Sequence, residues 1–177
     1  KKEYYLILRG LSDALQTEDG PLRLEFGELF SLLRSPVEQI ASAAHKTLSF
    51  EVNGRSSFRT GHVYELLSVF RNLFTNAVEA SKNDQVFIQV TLEETADEIL
   101  CTVTDHGQGI PPDALSQIFD AGFSTKINYE TGEISRGLGL NIVKGIVEEN
   151  LGGRIHADSR PGNTCFSIRL PKETLEG

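Results

Sequence analysis

The sequence predicts a two-layer α/β sandwich, with helices covering one face of a mixed, mainly antiparallel sheet. Apolar and polar residues alternate in residues 85–94 and 98–107, and the short polar turn between them indicates a β-hairpin. Residues 154–160 and 163–171 form a second pair of this kind around a Pro-Gly turn. Long segments with helical spacing of apolar residues precede the first hairpin, and another lies between the two hairpins.

The first half of the predicted domain alternates strands and helices. We expect a short strand, a helix, a strand ending in an Asn-Gly turn and a long helix, in residues 22–26, 26–46, 47–54 and 61–82. Pro36 falls in the first helix, where it either kinks the helix or belongs to a first turn. Apolar residues gather on one face of the long helix and are predicted to be buried: Leu66, Phe70, Leu73, Phe74 and Ala77.

Pro112 and Asp113 are placed to start a helix at residues 112–119. The following residues, 120–136, show no clear period and contain two glycines, which predicts a mobile loop. A glycine-rich turn then opens a helix in residues 137–153, and a Gly-Gly pair closes it.

The beginning of the chain has a different pattern. Apolar residues at spacings of four and three in residues 1–16 predict a helix with a coiled-coil-like seam, which we interpret as the end of a longer helix. Residues 17–21, TEDGP, break this pattern and are predicted to be a linker.

Composition excludes several kinds of function. The net charge of −8, with 17 scattered Lys and Arg residues, argues against a nucleic-acid-binding face. Cys101 and Cys165 lie in strand-like runs without metal-ligand spacing, so we expect small core side chains in a reducing compartment. No apolar run approaches the roughly 20 residues that span a bilayer, which leaves open whether a longer parent protein is anchored in a membrane.

Three glycine-bearing segments could hold a ligand, and each alone is weak evidence: DHGQGI at 105–110, the loop leading into GLGL at 137–140, and PGNT at 161–164. In DHGQGI, Asp105 projects from a strand end, while Gly107 and Gly109 let the backbone turn tightly; a plain β-turn with a capping Asp is the alternative. GLGL opens a helix whose free N–H groups could bind phosphate, although a plain glycine-rich helix start fits equally. It matches neither a Walker A motif nor a dinucleotide fingerprint.

Two amides, Asn72 and Asn76, lie one turn apart on the long helix beside its apolar face. Buried amides are unfavourable unless something binds them. The pair could therefore bind a ligand, whereas two polar residues on a solvated helix face are the alternative interpretation.

Five motifs in a fixed order resemble the catalytic and ATP-binding domain of sensor histidine kinases: NLFTNA, DHGQGI, IFDAGFSTK, GLGLNIVKGIVEENLGG and GNTCFSI. The resemblance covers residues 22–171. It implies the Bergerat fold, which this family shares with type II topoisomerases, the heat-shock chaperone and mismatch-repair ATPases. It also implies that the chain binds ATP with Mg²⁺.

The resemblance assigns roles to matching residues. Asp105 would accept a hydrogen bond from the adenine amino group, since an ionised carboxylate only accepts, and Thr164 would complete this contact through water. Asn76 would supply an oxygen to Mg²⁺, and Asn72 would support the metal or phosphate shell. The other assigned residues fall into four groups. The adenine pocket would be shaped by Gly107, Gly109 and Ile110, and the ATP lid would be anchored by Phe119 and Phe123. The phosphates would lie near Ser124, Thr125 and Lys126, with Arg136 as a further phosphate contact. The phosphate-facing hinge would be formed by Gly137, Leu138, Gly139 and Leu140.

Two departures refine the function. ATP-hydrolysing relatives carry a Glu general base where this chain has Asn72, which cannot take a proton, so the resemblance favours transfer over hydrolysis. Glu79 replaces a Lys that reaches the phosphates in many relatives and stays unexplained.

None of the four histidines lies in an acceptor-type His-acidic box: His45, His62, His106 and His156. We interpret His106 as a solvent-facing turn residue.

We therefore expect the acceptor histidine outside this chain. Residues 1–20 would be the end of a dimerisation helix plus linker, and residues 21–177 the catalytic domain. The resemblance implies transfer of the γ-phosphoryl group to a histidine of the dimerisation domain, relay to a response regulator, a homodimeric parent and a cytoplasmic domain. The alternatives are a clamp-type ATPase and a scaffold that binds no nucleotide.

Overall fold

The core of the fold is a five-stranded sheet. The computed structural model describes residues 22–120, 125–127, 134–136 and 139–176. The strands of this sheet are Thr47–Asn53 (β2), Gln85–Glu94 (β4), Glu98–Asp105 (β5), Arg154–Arg160 (β8) and Asn163–Pro171 (β9). Within the described residues, their order in the sheet is β2-β4-β5-β9-β8. Strands β2 and β4 are parallel, and the other neighbours are antiparallel. Both predicted hairpins, and the mixed sheet, are confirmed.

Helices cover one face of this sheet. Along β5 every second side chain is buried, including Ile99, Cys101 and Val103, while those between are half-buried on the open face. This alternation places one face of the strand against the helices. The helices are Phe26–Ala43 (α1), Val63–Ala80 (α2), Pro112–Leu115 (α3), Leu140–Lys144 (α4, continued by a π-helical turn at Gly145–Asn150) and Lys172–Leu175 (α5). The predicted two-layer sandwich is thus confirmed.

Helix α1 begins with a capping box. Glu28 accepts a hydrogen bond from the Glu25 N–H at 3.1 Å, and the Glu25 side chain accepts one from the backbone at position 28. Pro36 lies in the interior of α1, so its placement in a first turn is wrong.

Phenylalanines join α1 to α2. The Phe30 and Phe70 rings meet edge to face, with centroids 4.9 Å apart, and Phe74 packs in the same way against Phe50 of β2 at 5.1 Å. All five residues predicted for the buried face of α2 are buried. This packing fixes α2 on the sheet, and α2 carries both amides of the candidate site.

Three parts of the structure differ from the prediction. A two-stranded ribbon pairs Leu24–Glu25 (β1) with Arg59–Thr60 (β3), and β3 has no periodicity in the sequence because it is so short. Helix α3 ends at Leu115 and continues as turns. In the predicted loop, Thr125–Ile127 (β6) and Ile134–Arg136 (β7) pair as antiparallel strands.

The predicted N-terminal helix and linker, residues 1–21, lie outside the described residues. The cysteines are free thiols, Cys101 buried and Cys165 half-buried. Within the described part of the chain, none of the helices has the length and apolar character needed to cross a bilayer.

The phenylalanine cluster should dominate the stability of the α1–α2 layer. We expect Phe70→Ala to lower the free energy of unfolding by about 3–5 kcal/mol, because it leaves a cavity in a fully buried cluster. Phe87→Ala is the matched control: Phe87 is 48% exposed, and its loss should change the same free energy by about 1 kcal/mol or less. Denaturant unfolding measures both, and equal effects would contradict this packing.

Candidate nucleotide site

A cavity of about 900 Å³ opens where α2, the end of β5 and the β8–β9 hairpin meet. This volume is within the range of small-molecule pockets in proteins. Its lining combines apolar side chains such as Ile118 and Phe166 with a few polar ones. Six of the residues predicted for the site lie together in this lining: Asn76, Asp105, Gly109, Ile110, Leu140 and Thr164.

A polar row crosses the sheet at the cavity. Asp105 of β5 pairs with Thr164 of β9, and Thr164 pairs with Ser159 of β8. Asp105 and Thr164 are each only 4% exposed. Paired residues on neighbouring strands point to the same face, so a carboxylate and two hydroxyls stand side by side where the apolar inner face ends.

Asp105 is a buried carboxylate with few partners. Its Oδ1 accepts a hydrogen bond from the Gly107 N–H at 2.9 Å. Burial raises the pKa of Asp105, and this effect outweighs the Gly107 hydrogen bond and the nearby His106, which lower it. His106 itself is exposed, as predicted, with its Nδ1 3.3 Å from the Gly162 carbonyl oxygen. Since desolvation of this carboxylate is only partly compensated, the site is suited to a ligand that donates a hydrogen bond.

The glycines of DHGQGI let the backbone approach its neighbours. A Cβ at Gly107 would lie 2.7 Å from the Ala80 carbonyl oxygen at the end of α2, and Gln108 N–H donates to that same oxygen at 3.0 Å. Gly109 has φ of +81°, and a Cβ there would lie 2.6 Å from the Arg160 carbonyl oxygen. The turn after β5 is therefore held between α2 and β8, which only glycine allows.

Asn76 is the residue predicted to bind Mg²⁺. Its Oδ1 is buried and has no hydrogen-bond partner among the described residues, and Asn76 lines the cavity. An unpartnered buried acceptor is unfavourable unless a ligand or metal uses it. Mg²⁺ takes oxygen ligands and commonly only one or two from protein, so this residue fits the ion. Asn72 is half-buried and is not among the described residues of the lining; its role stays a prediction.

The glycine-rich segment before α4 is described only in part. Gly139 has φ of +58° and accepts a hydrogen bond from the Val143 N–H at 2.9 Å, so it begins the helix. Phe119 contacts Phe166, with ring centroids 6.3 Å apart. The remaining predicted residues lie outside the described residues, or have side chains that do: Phe123, Ser124, Thr125, Lys126, Arg136, Gly137 and Leu138.

Among the lining residues that the sequence analysis did not assign to the site, Lys46 and Ser159 make hydrogen bonds that hold it together. Lys46 lines the cavity, and its Nζ donates to the carbonyl oxygens of Val78 at 2.8 Å and Ser81 at 2.7 Å, at the C-terminal end of α2. Ser159 bonds Thr164 and lines the cavity. The Pro-Gly turn fixes the register of the last hairpin, so the pairing of Ser159 with Thr164 could have been predicted from the sequence. The contact of Lys46 with α2 could not, because the two lie far apart along the chain.

Comparison with known proteins points to one family. Residues 61–174 match the family described as histidine kinase-, DNA gyrase B-, and HSP90-like ATPase. Sensor histidine kinase GlnK of Bacillus subtilis is 33% identical over 176 residues, which are 99% of this chain and 42% of GlnK. Sensor histidine kinase DcuS of Escherichia coli is 36% identical over 159 residues, which are 83% of this chain and 28% of DcuS. This chain thus spans less than half the length of either protein.

A solved structure shares the architecture. The catalytic domain of histidine kinase ThkA superposes with a TM-score of 0.69 at 26% identity, covering 85% of this chain and 96% of that one. The likeness extends over nearly the whole of the ThkA domain, so the two share one fold across that length.

The raised pKa of Asp105 determines how the stability of the ligand-free fold depends on pH. The folded chain binds a proton at this carboxyl more tightly than the unfolded chain, so the ionised carboxylate destabilises the ligand-free fold. This destabilisation is absent below the ordinary value of 3.8, grows as the pH rises from there to the raised folded-state pKa, and is fully present above it. At neutral pH we therefore expect Asp105→Asn to unfold at the same or a higher denaturant concentration than the wild type.

Asp158→Asn, at an exposed position of β8, is the matched control and should leave the unfolding midpoint unchanged. Denaturant unfolding across a pH series measures all three proteins. A marked loss of stability in Asp105→Asn at neutral pH would show that the carboxylate is structural and would contradict this account.

Proposed function

The chain belongs to the family of histidine kinase-, DNA gyrase B- and HSP90-like ATPases, as an ATP-binding catalytic domain of the sensor histidine kinase type. We propose that it donates the γ-phosphoryl group of Mg²⁺–ATP to a histidine of a dimerisation domain outside these residues. The observation that carries the proposal is the buried carboxylate of Asp105 beside Thr164 in a cavity of nucleotide size. Such a carboxylate suits the amino group of adenine, because it accepts hydrogen bonds and donates none.

Adenine recognition would come from the polar row, and the apolar lining would contact the faces of the base. Ile110 and Ile118 lie on the wall of the cavity, and Phe166 continues that wall from β9. Burial of an aromatic base against such side chains is favourable, and the polar row would then fix its orientation.

The phosphates would lie towards α2 and the segment before α4. Asn76 would hold Mg²⁺ through its unpartnered oxygen, and the ion would supply neutralisation of phosphate charge. Lys82 and Lys46 also line the cavity. The Lys46 ammonium is already bonded to two carbonyl oxygens, so its effect there would be to hold the end of α2. The family resemblance predicts Ser124, Lys126 and Arg136 near the phosphates, and we propose that they contact them as well.

Transfer, as opposed to hydrolysis, is supported by position 72. An amide there cannot accept a proton from water, so no general base stands one turn before Asn76. The acceptor would come from elsewhere: all four histidines fall in the described residues, and none of them lines the cavity.

The wider assignments belong to this proposal as well. The parent protein would be a homodimer, its dimerisation domain would carry the acceptor histidine, and an aspartate on a response regulator would be the final recipient. ATP and such regulators meet in the cytoplasm, where we place this domain. Residues 1–20 would be the end of the dimerisation helix and its linker.

The metal assignment can be tested by binding. We expect magnesium to strengthen binding of a non-hydrolysable ATP analogue to the wild type, and Asn76→Ala to lose most of that gain, because the variant lacks the oxygen ligand. Isothermal calorimetry with magnesium and with a chelator measures the gain. Asn83→Ala removes an exposed amide outside the cavity and should retain it. A full magnesium gain in Asn76→Ala would rule out this ligand.

The transfer itself can be tested with γ-labelled ATP. The 177-residue chain alone should acquire no stable label, whereas a separately supplied dimerisation domain from a sensor histidine kinase should acquire one on histidine. Asp105→Asn should reduce that labelling by about 10- to 100-fold, the worth of a hydrogen bond to a charged group. Label on the chain itself, or rapid release of phosphate without transfer, would refute the proposal.

A further inference from the structure

Lys144, the last residue of α4, lies over the ring of Phe119. Its Nζ is 5.8 Å from the ring centroid, within the distance of about 6 Å at which a cation is attracted to an aromatic face. The same ring meets Phe166 of β9 nearly edge to face, with centroids 6.3 Å apart. Since Lys144 is exposed and Phe166 is buried, the three side chains form a row from the surface of α4 to the sheet.

The two partners of the cation contact differ in how firmly they are held. Lys144 follows Val143, which is fully buried and anchors α4 on the core. Phe119 is half-buried and lies in the turns that follow α3, where the Asp120 N–H donates to the Gln117 carbonyl oxygen at 2.9 Å. Turns are less strongly restrained by backbone hydrogen bonds than a regular helix, so side-chain contacts contribute more to the position of Phe119.

The contact joins two parts of the cavity wall that are far apart along the chain. Ile118, directly before Phe119, is only 3% exposed and lines the cavity. Leu140, the first residue of α4, lines it as well. Lys144 is not among the described residues of the lining, so within the described structure it reaches the cavity through the Phe119 ring.

We infer that Lys144 is a positioning residue, which holds Ile118 in the cavity wall through the ring of Phe119 and so keeps the cavity shaped for the nucleoside part of the ligand. The inference rests on the proposed function and deepens it. Without the cation, part of the population would have Ile118 displaced from the wall. The apparent affinity falls in proportion to the fraction that remains competent to bind, and an exposed cation on an aromatic ring would change this fraction by about two- to fivefold.

The alternative role for a lysine on this helix is a direct contact with phosphate, and the choice of ligand separates the two. In Lys144→Met, which keeps the apolar stem and removes the charge, we expect adenosine and a non-hydrolysable ATP analogue with magnesium to bind about two- to fivefold more weakly, by the same factor. NMR titration measures adenosine, and calorimetry measures the analogue. Weaker binding of the ATP analogue alone would show a phosphate contact and overturn the inference.

A double-mutant cycle tests whether the cation acts through the ring. Phe119→Leu keeps an apolar side chain and removes the aromatic face, so adding Lys144→Met to it should cause no further loss of affinity for the ATP analogue. Lys144→Arg should retain the wild-type affinity, because a guanidinium also binds an aromatic face. An undiminished effect of Lys144→Met in the Phe119→Leu background would overturn the inference, even where adenosine binds too weakly to measure.

The chain offers a matched control. Lys172 makes the same kind of contact with Phe58, with its Nζ 5.5 Å from the ring centroid, and neither residue is among the described lining of the cavity. Lys172→Met should therefore leave the affinity for both ligands unchanged. An equal loss there would show a general effect of removing such a contact and would contradict a specific role for Lys144.

The outcomes separate this inference from the proposed function. A wild type that binds the ATP analogue, with Lys144→Met binding it equally well, leaves the proposed function standing and removes the inference. A wild type that binds neither the ATP analogue nor adenosine removes both.

Discussion

Desolvating a carboxylate is unfavourable, and the candidate site is organised around one that is almost fully desolvated. Asp105 lies at the end of β5, where it continues the row of apolar side chains that faces the helices. One N–H hydrogen bond from Gly107 compensates the burial only in part, so the pKa of the carboxyl is raised. A fold that keeps such a group in a cavity wall is less stable without ligand, which is typical of sites shaped by function.

The elements around Asp105 hold this buried carboxylate in position. The turn that follows it is held against the end of α2 by Gln108, and Lys46 binds the last carbonyl oxygens of the same helix. On the other side, β8 approaches Gly109 and bonds Ile110 through Ser159. The carboxylate is therefore positioned by backbone contacts on both flanks, and its free oxygen can face the cavity. The phenylalanine cluster fixes α2 itself, so stability of the core and geometry of the site are connected.

Much of this was predictable from the sequence because the signals are local. Alternation of apolar residues indicated the two hairpins, and helical spacing indicated α2 with its buried face. Motifs in a fixed order identified the family and assigned Asn76, Asp105 and Thr164 to one site. Contacts between distant segments left no such signal: Lys46 reaches α2 over more than 30 residues, as in its bond to Val78. The β1–β3 ribbon is too short for periodicity, and β6 and β7 are short strands within a stretch without a clear pattern.

The most direct test of the account is the titration of Asp105 itself. The carboxyl carbon of this residue can be followed by ¹³C NMR across a pH series, with and without an adenine nucleotide. We predict a midpoint above the ordinary value of 3.8 in the ligand-free chain, and a lower midpoint with the nucleotide bound, since a donor from adenine stabilises the ionised form. The same midpoint in both states would contradict the claim that this buried carboxylate recognises the base.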